Sequence, residues 1–109
     1  MMEVKAVISP NKLGALRASL LDTPGFPGMT VSKVEGCSAP SKLDKATIKD
    51  ELTDYSAKIR IEIICNPEIA GLLMDKIVGV CQVGHMGDAV VWCTPVQNAF
   101  FISKSSSSI

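Results

Sequence analysis

Aromatic side chains are scarce in this chain: one Trp, one Tyr and three Phe, or 5% of 109 residues. So few rings leave little material for stacking along nucleic-acid bases. Neither sign of charge is in excess, because 11 Lys and Arg are interspersed with 11 Asp and Glu. The electrostatic footprint of a nucleic-acid or anionic-membrane binder is therefore missing. The four cysteines, Cys37, Cys65, Cys81 and Cys93, form neither a CxxC pair nor the dense pattern of a small secreted scaffold, which points to thiols in a reducing compartment. No apolar run approaches the roughly 20 residues that span a bilayer. Met1–Ile8 lacks the order of a signal peptide, and a cytoplasmic location is expected. There is no defensible Ser/His/Asp or paired-carboxylate arrangement and no glycine-rich loop with a placed arginine, so no catalytic residue is assigned and no enzyme is expected. His85 is the only histidine. With Cys81 it supplies two possible zinc ligands where three or four are needed, so no metal is expected.

What is present suits one domain over residues 1–103, with a core of moderate size that would gain from oligomerisation. Met2–Ser9 alternates, Val4, Ala6 and Ile8 against Glu3, Lys5 and Val7, as a half-buried strand does. Pro10 ends that strand, Asn11 suits a helix N-cap, and Leu13, Leu16 and Leu20 recur on one face of a helix that stops near Pro24. Met29–Glu35 resumes a strand pattern, with Gly36 marking its end. Lys58–Cys65 is the clearest strand, with Ile59, Ile61, Ile63 and Cys65 to one side and Arg60, Glu62 and Ile64 to the other. Asn66-Pro67-Glu68 signals a helix start. Ile69, Leu72, Leu73, Ile77 and Val80 are its expected buried stripe, to about Gln82. Ala89–Thr94 reads as a strand broken by Pro95, with a last strand-like piece at Ala99–Ile102. Lys104–Ile109 is serine-rich and expected to be disordered.

The order β-α-β, long connection, β-α-β gives an α+β ferredoxin-like βαββαβ fold, with both helices on one face of an antiparallel sheet. Val7 and Ile64 make the other face partly apolar, and other subunits are expected to cover it. The connection from Gly36 to Lys58 is far longer than the usual 4–6 residues. Its Leu43, Ile48 and Leu52 are too sparse for a core, so it is expected to serve a ligand or partner.

Four segments carry a resemblance: Lys5–Leu13, Pro27–Gly36, Lys58–Ile64 and Gly84–Asp88. On these the chain resembles the PII family of trimeric signal transduction proteins (nitrogen regulatory protein P-II-like), as a divergent PII-like member. The resemblance implies a homotrimer in which the long connection is a T-loop (37–56) and the turn at 83–88 a B-loop. It implies an adenine nucleotide, ADP, AMP or ATP, bound between subunits, with bicarbonate as a further candidate effector and no tightly bound cofactor. Carried over residue by residue, Thr30 and Ile64 match the adenine pocket, Gly36 the T-loop base, and Lys58 the lysine that bonds phosphate or carboxylate. Gly84, His85, Gly87 and Asp88 match the B-loop. The T-loop apex, Ile48, Lys49, Asp50, Glu51 and Leu52, is implied to dock a transporter or enzyme. The chain departs from the family at His85, Ala89, Val90, Phe101 and Ser103, where it lacks a lysine, a glycine, a second lysine and two phosphate-binding arginines. Each charge-assisted bond lost is worth about 1.5–3 kcal/mol, so the family's usual ATP clamp is not expected here. A metal-responsive trimer of the same architecture, binding no nucleotide, is the alternative function.

Overall fold

The computed structural model describes residues 1–37, 55–82 and 89–103. The T-loop apex, the B-loop and the serine-rich tail expected above lie outside the described residues. Four strands, β1 (Met2–Ile8), β2 (Thr30–Cys37), β3 (Tyr55–Cys65) and β4 (Val90–Pro95), form one sheet in the order β2-β3-β1-β4. Every neighbouring pair is antiparallel. The helices are α1 (Leu13–Leu21) and α2 (Pro67–Cys81), which gives the expected ferredoxin-like βαββαβ topology.

One sheet face and the two helices enclose the core. Val4, Ala6 and Ile8 of β1 and Ile59, Ile61, Ile63 and Cys65 of β3 are buried there against Leu16 and Leu20 of α1 and Ala70, Leu73, Ile77 and Cys81 of α2. The two central strands contribute the alternating set because the helices cover that side of β1 and of β3 from Ile59 to Cys65. A bond from Lys76 Nζ to the Ser19 carbonyl oxygen, at 3.2 Å, ties α2 to α1.

Several boundaries differ from the sequence expectation. Gly36 does not end its strand: the ladder continues through Gly36–Ser56 and Cys37–Tyr55, so β3 begins three residues before Lys58. Backbone pairing needs no apolar alternation, and these outer rungs, past the helices, have no core to face. Asn11 is not an α-helix cap. It lies inside a short 3-10 turn, Pro10–Lys12, closed by Lys12 N–H donating to the Ser9 carbonyl at 3.0 Å, with Pro10 at the position where its missing donor costs nothing. Pro95 is paired with Met2 as the last residue of β4, tolerated because β4 is an edge strand. Ala99–Phe101 is not a strand, and a helical turn begins at Ile102. On α2, Leu72 is exposed rather than core-facing; the buried stripe runs through Ala70, Leu73, Ile77 and Cys81, at 3- and 4-residue steps.

No disulfide joins the cysteines. Burial pushes the Cys65 and Cys81 thiols above the ordinary value of 9.0, helped at Cys65 by the neighbouring Cys93 and opposed by the chain's amino terminus there and by Lys12 at Cys81. Native burial thus favours the protonated thiol. The stabilisation is complete below the unfolded-state value and is lost as pH rises through the higher native ones. Chemical denaturation between pH 8 and 11 should therefore show stability falling on the alkaline side. Maleimide labelling at pH 7.5, read by mass spectrometry, should modify exposed Cys37 before Cys65 or Cys81.

Candidate functional site

The helix-free face of the sheet is built in rows set by strand register, since directly paired residues point to the same side. One row runs Thr30–Glu62–Lys5–Trp92 and the next Ser32–Arg60–Val7–Val90, with Ile64–Glu3–Thr94 on the other flank of the first. Lys5 Nζ lies 3.6 Å from Glu3 Oε1 and 3.9 Å from Glu62 Oε2, and Arg60 Nε lies 3.8 Å from Glu62 Oε1. All four side chains are partly exposed, so each pair is worth about 0–1 kcal/mol.

A cleft of about 480 Å³ opens where the entry to β2 meets β3. Pro27, Gly28, Met29 and Thr30 form one side and Glu62 and Ile64 another, with Glu3 and Phe101 completing the lining. Gly28 takes φ +108, a left-handed conformation that a residue with a Cβ rarely adopts, and so turns the chain into β2 beside the cleft. The walls combine apolar surface with a hydroxyl and two carboxylates. Such a lining can hold a small polar molecule by its edge, and among the described residues it supplies no nucleophile paired with a base.

Thr30 and Ile64, expected at one pocket, line this same cleft. Gly36 and Lys58 are together as well, but elsewhere on the same face. Val34 pairs with Lys58 and Gly36 with Ser56, and the Lys58 stem lies so close over Gly36 that an added Cβ would sit 3.1 Å from its Cγ. Glu62 and Lys58 are four residues apart on β3, about 13 Å at strand rise, so Lys58 stands along the sheet from the cleft and not in its wall. Gly84, His85, Gly87, Asp88, Ile48, Lys49, Asp50, Glu51 and Leu52 lie outside the described residues. Among the described residues no group of three or more His, Cys, Asp or Glu could hold a metal ion. Nor is any described helix long and apolar enough to cross a membrane.

Sequence reasoning missed Glu3 and Glu62 as cleft residues. The signal was available for Glu62, two positions before Ile64 and hence on its face. Glu3 needed the β1–β3 register, which pairs it with Ile64.

A family model described as "Nitrogen regulatory protein P-II" matches residues 1–106. Among curated proteins, the chain is 29% identical over 103 residues to a nitrogen regulatory protein P-II of Nostoc punctiforme, covering 94% of this chain and 91% of that one. It is 30% identical over 99 residues to the nitrogen regulatory protein P-II of a Synechocystis species, covering 90% and 88%. With nitrogen regulatory protein GlnK2 of Haloferax mediterranei it shares 30% identity over 97 residues, covering 88% and 78%.

Proposed function

The chain belongs to the nitrogen regulatory protein P-II family, and from that premise we propose that it is a regulatory, non-enzymatic subunit that binds an adenine nucleotide and reports its occupancy to a protein partner. The observation that carries the reading is the convergence of Thr30 and Ile64 on one cleft, with Gly36 and Lys58 farther along the same sheet face. In this reading the base sits in the cleft and the phosphates extend along β3 toward Lys58, whose ammonium bonds an oxygen of the ligand. Gly36 leaves room for the Lys58 stem to lie flat across β2. Bicarbonate is a second candidate for the same ammonium.

The functional unit is a homotrimer in which neighbouring copies cover the helix-free face and close the cleft from the other side. Val7, Ile64, Val90 and Trp92 give that face apolar surface for such a contact. The Cys37–Tyr55 rung is the root of the T-loop, so a ligand that holds Lys58 and Gly36 acts on the strands from which the loop departs. A ligand can shift the loop only by as much as it binds one arrangement better than another. Ile48, Lys49, Asp50, Glu51 and Leu52 would then present or withhold a surface for a transporter or enzyme.

The test is calorimetry of the full chain against ATP, ADP and AMP, each with and without bicarbonate and 2-oxoglutarate, with hydrogen exchange followed across residues 38–54. Binding of at least one nucleotide below millimolar concentration, with a change in exchange in that segment, is expected. No binding by any of them at millimolar concentration, or a monomer by sedimentation, overturns the proposal.

A further inference from the structure

The outer face of the helix layer, on the far side of the subunit from the helix-free sheet face, exposes more apolar surface than a solvated face needs. Leu21 of α1 is 56% exposed, and Leu72 and Val78 of α2 are each 46% exposed. Single exposed apolar side chains are ordinary, but these stand among exposed Gly14, Ala15 and Ala18 on α1 and Gly71 and Gly79 on α2, so little polar surface separates them. A glycine inside a helix is less favourable than alanine, and its use is to let another body approach the backbone closely. Within the subunit nothing does so: a Cβ added at Gly14, Gly71 or Gly79 would stand in open space among the described residues.

The charges on this face say what the neighbour is. Arg17 is the only charged residue of α1, while α2 exposes Glu68 and Asp75 and turns its one cation, Lys76, onto the Ser19 carbonyl oxygen of α1. None of the ion pairs among the described residues includes Arg17, Glu68 or Asp75. A body that answers this pattern needs an acid over α1 and a cation over α2. A second copy supplies both when turned about a two-fold axis running between the helices, which lays its α1 on α2 and its α2 on α1. The Lys76–Ser19 bond fixes the relative height of the two helices. At about 1.5 Å per residue it puts Asp75 within about one turn of the level of Arg17, so Arg17 of each copy comes within reach of Asp75 of the other. The small and apolar positions of α1 then fall over those of α2.

We infer that the outer face of α1 and α2 is a self-complementary interface on which a second copy of this chain docks. The inference is independent of the nucleotide reading. The homotrimer uses the opposite side of the sheet, so this contact joins one such assembly to another.

The test is sedimentation velocity of the full chain from micromolar to millimolar concentration, with Arg17→Asp, Asp75→Arg, the two combined, and Gly79→Gln. Assemblies larger than the trimer are expected to appear as concentration rises. Each single reversal sets like charges opposite one another and should weaken that association by about tenfold or more, and the combination should restore it. Gly79→Gln adds bulk in open space, so far-ultraviolet circular dichroism should show an intact fold while the association is lost. A dimer sensitive to the same variants would keep this inference and remove the trimer. No assembly beyond the trimer, as expected of a face that serves a different protein, overturns the inference. So does association that ignores the reversals or is not rescued by their combination.

Discussion

Replacing Ile61 by Ala is expected to lower the free energy of unfolding by about 2–5 kcal/mol, a large share of what a domain of this size has. Ile61 is fully buried at the middle of β3, paired with Ala6 on one side and Val31 on the other, and faces the helices. Truncation removes its methyl and methylene groups from a packed layer that both helices share, and the flanking strands cannot collapse into the space without breaking register. Urea denaturation followed by far-ultraviolet circular dichroism checks the value, with Ile64→Ala as the comparison. Ile64 is only half-buried and faces the opposite side, so its truncation should cost less stability and should instead weaken ligand binding. Equal stability losses at the two positions would mean that both faces of β3 are packed alike in the isolated subunit, contrary to this sheet.

Lys58→Ala is expected to reduce affinity for AMP, ADP and ATP by about tenfold to a hundredfold, the worth of one charge-assisted hydrogen bond, while leaving adenosine unaffected. The reason is positional. Lys58 lies along β3 from the cleft, over Gly36, where it can meet the charged end of a ligand but not the base. Stability should change little, since β3 keeps its core set of Ile59, Ile61, Ile63 and Cys65. Calorimetry with adenosine, AMP, ADP and ATP checks this, because the loss needs a phosphate. An equal loss for adenosine would remove Lys58 from the role of anion ligand.

The cleft itself was legible only in part from the amino-acid order. Ile59, Ile61 and Ile63 alternate with Arg60, Glu62 and Ile64, and that period identifies β3 and both its faces at once. From the same period Thr30 could be placed on a strand, but not opposite Glu62, because strand pairing depends on how the crossovers bring β2 beside β3. Phe101 stood out in sequence only for what it was not, an arginine. That it forms a wall shared by two cavities depends on the irregular path of 99–101, which follows no periodic pattern.

Strand boundaries show the same division. Leu16 and Leu20, four residues apart, had to lie on one helical face whatever surrounded them, and they are fully buried. Leu72 had the same apolar character and a place next to the stripe, yet is 46% exposed, because the sheet and α1 cover only a limited arc of α2. Likewise Gly36, Cys37, Tyr55 and Ser56 carry no strand pattern but extend the ladder, since a backbone already paired at Glu35 and Ala57 can add rungs without further burial.

The chain's own order determined the alternation of elements, the inward set of each central strand and the length of the excursion between β2 and β3, because periodicity and turn chemistry act over neighbours a few residues apart. Which polar groups share a cleft was decided by the tertiary arrangement. Thr30, Glu62, Ile64 and Phe101 come from three separate stretches, and only the register across the sheet and the path of the last segment bring them to one place.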